Sequence, residues 1–193
     1  MESLILLGRT FGFALAAGVN LYATVAVIGL AARYQWVALP AQFQAFNHDW
    51  LIATALALYA LEFIADKIPW LDTIWDAVHT FIRPIGGAVI AVTTLGEASP
   101  LLQGLVGLAG GTVAAGSHLS KAGTRAAANT SPEPFSNWAL SLAEDVFVIG
   151  LGVLAIKFPV LALVVVLLIV VAIALLLRWL LVAFRGRRRE ARV

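Results

Sequence analysis

Residues 160–177 read VLALVVVLLIVVAIALLL, a run of eighteen residues without a charge or a polar side chain. A helix needs roughly 20 predominantly apolar residues to cross the hydrocarbon core of a bilayer. The run ends at Arg178, and apolar residues continue on its far side to residue 184. This stretch predicts a transmembrane helix over residues 160–184.

The composition of the whole chain agrees with a membrane location. Its 193 residues are 61% hydrophobic and 12% charged, with a mean hydropathy of +0.93. Soluble domains carry about 25% charged residues, so this chain has too little polar surface to cover a water-soluble globule. The length allows about six crossings and no separate soluble domain. The absence of cysteine excludes disulfides, thiolate zinc sites and thiol nucleophiles.

Five further segments are predicted to cross or enter the membrane. The first is longer than one crossing needs and contains Gly12, Gly18 and Asn20, which favours a kinked or broken helix. The segment after Pro84 is short for a span, so a tilted, re-entrant or buried helix is expected there. The segments are residues 3–32, 50–66, 85–96, 101–128 and 135–156. The predicted fold is an all-α polytopic helical membrane bundle of about six spans.

The charges predict the orientation of this bundle. Residues 1–184 form a single transmembrane domain, and residues 185–193 form a basic tail. Basic residues beside a membrane helix hold that end in the cytoplasm, so the tail is interpreted as a topology signal and not as a nucleic-acid site. With six spans, both termini of the multi-pass protein are expected to be cytoplasmic.

A short internal similarity suggests two related halves. Residues 16–21 read AAGVNL and residues 114–119 read AAGSHL, each within a glycine-rich apolar segment. Halves at residues 1–96 and 97–184 with three spans each have opposite topology, as in inverted-repeat transporters. Chance similarity is the alternative, because Ala and Gly are common in membrane helices.

Ionisable residues within the apolar segments are the candidate site. A central carboxylate costs about 2.5–3.5 kcal/mol on insertion, so Glu144 and Asp145 are expected to face protein or water. The candidate substrate- or ion-binding residues are Asn20, Tyr22, Glu62, Asp66, Lys67, Asp72, Asp76, His79, Arg83, His118, Lys121, Arg125, Asn129, Glu133, Asn137, Glu144 and Asp145.

The polar face of residues 71–83 allows two interpretations. Asp72, Asp76, His79 and Arg83 recur at helical spacing and form one face of an amphipathic helix that Pro84 is expected to end. The face is either the solvated side of an interfacial helix or part of a site in which Asp72, Asp76 and His79 bind a divalent metal. No other cofactor is predicted, and no recognised catalytic motif occurs.

Two long motifs carry a resemblance to a known family. Residues 62–86 follow the pattern ExxxDKxPxxDxxWDxxHTxIRPxG, and residues 121–137 follow KxxTRxxxNxSPEPxSN. They resemble an uncharacterised bacterial integral-membrane family that is catalogued only as a domain of unknown function. The resemblance covers roughly residues 10–155. It implies a location in the bacterial inner membrane and directs attention to these motifs, but it implies no activity.

Three functional hypotheses follow from these patterns. The first is a small secondary transporter or channel-like carrier for a small, anionic solute, with proton or cation involvement. The second is a membrane-embedded enzyme that acts on a phosphorylated lipid head group at the cytoplasmic face, with Arg83, Lys121 and Arg125 binding phosphate. The third is a non-catalytic scaffold, in which the polar groups pair with one another and leave no cavity. The expected partners are the lipid bilayer, a solute, ion or lipid head group, and a second copy of the chain.

Overall fold

The computed structural model of the protein describes residues 1–130 and 135–190, apart from the side chains of residues 180, 181 and 183–190. This described part is helical and contains no β-strand, which confirms the predicted all-α bundle. Its helices are α1 (Glu2–Val19), α2 (Leu21–Arg33), a 3-10 helix (Ala41–Phe46), α3 (Asp49–Ala65), α4 (Pro69–Leu95), α5 (Pro100–Ala128), α6 (Phe135–Lys157) and α7 (Pro159–Glu190).

Four helices of the described part are long and apolar enough to cross a membrane. They are α1, α4, α6 and the portion Pro159–Trp179 of α7. α2 is apolar but shorter, and α5 carries Lys121 and Arg125 in its second half. Several long apolar helices in one chain are those of a multi-pass membrane protein.

The first predicted segment is broken at Asn20, as expected. Asn20 has an extended backbone (φ −148°, ψ 102°) that ends α1 and begins α2. Its side-chain oxygen accepts a hydrogen bond from the amide N–H of Ala23 at 2.9 Å, which caps the first turn of α2. Asparagine is therefore well suited to interrupt an otherwise continuous apolar helix.

The two helices that meet at Asn20 form a V. On the α1 arm, Gly8 packs against Pro159 and the hydroxyl of Thr94 donates a hydrogen bond to that of Thr10. On the α2 arm, Gly29 packs against Ile52. Both arms thus point to the end of the bundle that holds the 3-10 helix and the α6–α7 connection, which we call the loop end. The opposite end, where α3 ends and α4 begins, we call the network end.

The V determines where α1 begins relative to α7. α1 begins at the loop end, whereas α7 starts there at Pro159 and runs toward the network end, where Ile173 lies near Ser120 and Glu144. α1 and α7 therefore begin at the same end of the bundle, and the first predicted segment turns back at Asn20. The expectation that both termini are cytoplasmic stays a prediction.

α4 is continuous through Pro84, so the prediction that Pro84 ends the amphipathic helix is wrong. Residues 85–96, treated above as a separate short segment, are the second half of one 27-residue helix. α4 packs along α5, with Gly87 against Ala114 and Gly111 against Pro84. Packing of this kind keeps membrane helices intact at proline, since neighbouring groups compensate for the lost backbone hydrogen bond.

The core of the bundle is the small-residue stretch of α1. Residues 12–19 are buried among α4, α5, α6 and α7. A Cβ at Gly18 would collide with Ala114 and Ser117 of α5, so glycine allows the two similar hexapeptides to lie directly against each other. The helix is interrupted at Asn20 in the first hexapeptide, whereas the second hexapeptide is helical throughout. The two hexapeptides therefore differ in structure, and an inverted repeat is not shown.

Candidate functional site

A set of polar side chains is buried at the network end, where α3 and α5 end and α4 and α6 begin. Each is at most 6% exposed, although removing such groups from water is costly. The buried set is Asn20, Glu62, Asp66, Asp72, Asp76, His79, Arg83, His118, Lys121, Arg125, Asn137, Ser141 and Asp145. With Tyr22, Lys67, Asn129 and Glu144 at its edge, we call this set the charge network. Of the residues expected at the site, only Glu133 lies outside the described residues.

The polar face of α4 points into the bundle. Asp72 and Arg83 are buried, whereas Ile74, Val78 and Phe81 on the opposite face are more than half exposed. An apolar exposed face suits contact with lipid, so α4 is amphipathic in the opposite sense to a helix at a water surface. The interpretation of this face as the solvated side of an interfacial helix is therefore wrong.

Arg83 connects three helices at the centre of the network. Its guanidinium donates to Glu62 Oε1 at 2.7 Å and to Asp76 Oδ1 at 3.2 Å. It also approaches the backbone carbonyl of Gly18, beside the apex of the V, at 3.5 Å. Arg83 and Glu62 are both fully buried, and a pair of this kind is tolerated only with close contacts on both sides.

Two basic residues of α5 complete the ionic contacts. Lys121 Nζ lies 3.3 Å from Glu62, 3.2 Å from Asp66 and 3.5 Å from Glu144. Arg125 lies 2.8 Å from Asp66 and 2.9 Å from Glu144. Every one of these acids is thus shared between two bases, and α3, α5 and α6 are tied together at one level.

Amide side chains support the outer part of the network. Asn137 accepts a hydrogen bond from Arg125 at 2.7 Å and donates to the backbone carbonyl of Asp66 at 3.0 Å. Asn129 donates to Asp72 Oδ2 at 2.8 Å. These contacts fix the ends of α3 and α4 against the ends of α5 and α6.

The two histidines of the charge network, His79 and His118, have defined hydrogen-bonding roles. A guanidinium can only donate, so His118 Nδ1 accepts from Arg83 at 2.8 Å and its proton lies on Nε2, which faces the hydroxyl of Thr80 at 3.1 Å. His79 Nδ1 faces the backbone carbonyl of Trp75 at 2.7 Å and must donate to it. Its Nε2 lies 2.9 Å from the hydroxyl of Tyr22.

The proposed metal ligands are not arranged around a common point. Asp72 interacts with Asn129, Asp76 with Arg83, and both nitrogens of His79 have hydrogen-bond partners. Within residues 1–130 and 135–190, no group of three histidine or acidic side chains has the placement needed to bind a metal ion. The residues present do not fit the divalent metal considered above.

Asp145 lies at the edge of the network, beside a phenol and another carboxylate. It lies on α6 beside the phenol of Tyr59 on α3, and Asp66 repels it electrostatically. Lys67, nearby, donates to Ser141 Oγ at 3.3 Å and to the Phe63 carbonyl at 2.9 Å. Burial lowers the pKa of the Lys67 ammonium, an effect that Asp145 and Asp66 partly oppose.

Tyr59, Thr80 and Ser141 were not among the expected site residues. Tyr59 precedes Glu62 by three residues on α3, a spacing that places both on one helix face. Thr80 is part of the first motif, and Ser141 lies four residues after the end of the second. Helical spacing from a charged residue is the signal by which these three side chains are recognisable.

A cavity reaches the network from the side of the bundle. It has a volume of ≈ 330 Å³ and lies between α1, α5, α6 and α7. Its walls are mostly apolar, and Lys121, Glu144, Ser120 and Thr124 supply its polar groups. The network is therefore accessible at Lys121 and Glu144, although most of it is sealed.

The fold and the site define the class of protein: a polytopic α-helical membrane protein with an ionisable network buried at one end of its bundle. A family model described as "Domain of unknown function (DUF4126)" matches residues 7–179, and the chain belongs to that family. The match includes most of α7, which the resemblance in the motifs did not cover. No curated protein and no solved structure matches the chain.

Proposed function

We propose that the protein is a small secondary carrier in which the charge network binds a proton or cation that is coupled to movement of a solute. The observation that carries this proposal is the imbalance of the network. Six carboxylates (Glu62, Asp66, Asp72, Asp76, Glu144 and Asp145) lie among four basic groups (Lys67, Arg83, Lys121 and Arg125). Ionisable groups inside membrane bundles are costly and commonly mark ion or proton pathways.

The V of α1 and α2 supports the same function. Carriers commonly form their sites at interrupted helices, where backbone groups are freed near the middle of the membrane. Here the interruption at Asn20 adjoins the network through Gly18, which approaches Arg83, and through Tyr22, which contacts His79.

The side cavity is the proposed entry for the solute. It leads to Lys121 and Glu144, which are the network residues most easily separated by a bound molecule because Glu144 keeps some exposure. The pairing of the basic groups disfavours a negatively charged solute. Arg83, Lys121 and Arg125 are already paired with carboxylates, so an additional anion would face an excess of negative charge.

We place the network end at the cytoplasmic side of the membrane. Lys67, Arg83, Lys121 and Arg125 lie at or toward this end, and α7 runs toward it, in agreement with the positive-inside rule. The N-terminus then lies on the other side of the membrane. This orientation retains the proposed cytoplasmic tail and replaces the proposed cytoplasmic N-terminus.

A scaffold is the second candidate, because one observation favours it. Most of the charged groups in the network are paired with each other, as expected if their role is to hold the helices together. The cavity at Lys121 and Glu144 and the surplus of carboxylates favour the carrier over the scaffold. The lipid-head-group enzyme is not proposed, since its phosphate-binding bases are occupied and its metal ligands do not converge.

Solute flux in proteoliposomes tests the carrier. Vesicles containing a pH-sensitive dye would be screened with carboxylic acids, phosphate, primary amines and amino acids, with the wild-type protein and with Glu144→Gln, Asp66→Asn and the control Asp49→Asn. Asp49 is exposed and distant from the network. We expect solute-dependent proton movement that Glu144→Gln and Asp66→Asn reduce at least tenfold and Asp49→Asn leaves unchanged. No flux of any solute, or equal flux in folded Glu144→Gln and Asp66→Asn, would favour the scaffold.

A further inference from the structure

The charge of Asp145 is the least compensated in the network. Glu62, Asp66, Asp72, Asp76 and Glu144 each lie within 4.0 Å of an arginine or lysine nitrogen. Asp145 has no such ion pair within the described part of the chain, and it is only 4% exposed. Its Oδ2 atom is buried without a hydrogen-bond partner, as are one oxygen each of Glu62, Asp66 and Asp72, but those three carboxylates have ion pairs and Asp145 has none.

The groups that face Asp145 do not supply the missing charge. From α3 it meets the neutral phenol of Tyr59 and the negative charges of Glu62 and Asp66. From α5, Lys121 attracts it but is already shared by Glu62, Asp66 and Glu144. From the α3–α4 connection, Lys67 attracts it while its ammonium is bonded to Ser141 and Phe63. An anionic Asp145 would therefore add to an existing excess of negative charge.

We propose that Asp145 carries an exchangeable proton and that the proton is the coupling ion of the carrier. The proposal deepens the function proposed above, on which the coupling part rests. A single carboxyl with one unpartnered oxygen suits a proton, which needs one acceptor. A metal cation needs several converging ligands, and no group of three histidine or acidic side chains among the described residues is placed to bind one.

The proton also has a defined effect on its surroundings. When Asp145 is protonated, it is a neutral donor beside Tyr59 and Asp66. When the proton leaves, the carboxylate becomes a buried anion, and Lys67 is the basic group of the described network that is not already held in an ion pair. Lys67 is then drawn from Ser141 toward Asp145, one turn further along α6, which shifts the contact between the end of α3 and α6.

Infrared spectroscopy measures this proton directly. Purified wild-type protein in lipid nanodiscs would be compared with Asp145→Asn and with Asp49→Asn across a pH series, in sodium and in potassium buffers. We expect a carbonyl band of a protonated carboxyl group at neutral pH that disappears in Asp145→Asn, persists in Asp49→Asn and does not depend on sodium. A band that persists in Asp145→Asn, no band at all, or loss of the band on adding sodium at constant pH would each overturn the proposal.

A second variant covers the case in which Asp145→Asn does not fold. Tyr59→Phe removes the phenol beside the carboxyl but leaves the charges unchanged, so the band should shift in frequency. An unshifted band would contradict a proton on Asp145. The proton site and the carrier function fail separately: a band with these properties in a protein that moves no solute would support the site and refute coupled transport.

Discussion

Arg83 on α4 donates a hydrogen bond of 2.8 Å to Nδ1 of His118 on α5. This contact determines the protonation state of the imidazole, because the nitrogen that accepts from a guanidinium has no proton of its own. His118 is therefore neutral and adds no positive charge to the network. The remaining basic groups of the network are two lysines and two arginines, and its six carboxyl groups therefore outnumber them.

Replacing Arg83 should cost more stability than replacing any exposed basic residue. Arg83→Gln leaves Glu62 buried without its closest partner, and breaking a buried pair costs about 3–5 kcal/mol. Arg33→Gln breaks only the pair with the exposed Asp49 and should change the free energy of unfolding by less than about 1 kcal/mol. Unfolding titrations in mixed micelles measure both. Equal stabilities of the two variants would contradict the buried pairing.

The close crossing of α1 and α5 predicts opposite effects for two glycines at matching places in the similar hexapeptides. Gly18→Ala forces Cβ into Ala114 and Ser117 and should destabilise the protein by about 1–3 kcal/mol. Gly116→Ala places Cβ in open space within α5 and should stabilise the helix by up to about 1 kcal/mol. The same titrations apply, and a tolerated Gly18→Ala would show that the crossing is wider than described.

The cap at Asn20 predicts a graded effect at the apex of the V. Asn20→Ala removes the acceptor for the Ala23 amide and should cost about 1 kcal/mol, whereas Asn20→Ser keeps an acceptor and should retain much of the stability. Hydrogen exchange at the first turn of α2 should be faster in Asn20→Ala alone. If both variants exchange at the wild-type rate, the cap does not hold the break.

The V predicts the sidedness of the termini, and the lack of native cysteine makes the test clean. Single cysteines at Ser3, Ser99 and Thr130 lie at exposed positions, the first two at the loop end and the third at the network end. A membrane-impermeant maleimide applied to sealed, oriented vesicles should label Ser3→Cys and Ser99→Cys from the same side and Thr130→Cys only from the other. Labelling of Ser3→Cys and Thr130→Cys from the same side would contradict the V and favour a first segment that crosses the membrane.

The membrane class and the helix break could be predicted from the sequence, because a long uncharged apolar run is typical of a membrane helix and an asparagine with flanking glycines favours an interruption within one. The direction of α2 could not, because it depends on contacts such as Gly8 with Pro159 between residues distant in the chain. Pro84 was interpreted by its local preference, which packing against α5 overrides.

The sequence predicted most residues of the candidate site but not how they are arranged. The same alternation of Asp72 and Arg83 with apolar residues describes a helix with its polar side in water or one with its apolar side in lipid, and only the fold distinguishes them. Tyr59 was missed because its only signal in the sequence is its spacing from Glu62, and its contact with Asp145 depends on how α3 packs against α6.

The most direct test of the central claim compares two modes of transport in Asp145→Asn proteoliposomes. A solute found in the flux screen would be followed both by counterflow, without a gradient, and by accumulation driven by an imposed proton gradient. The asparagine mimics a permanently neutral Asp145, so we expect counterflow near the wild-type rate and at least a tenfold loss of proton-driven accumulation. Accumulation by Asp145→Asn at the wild-type level would contradict coupling through this residue.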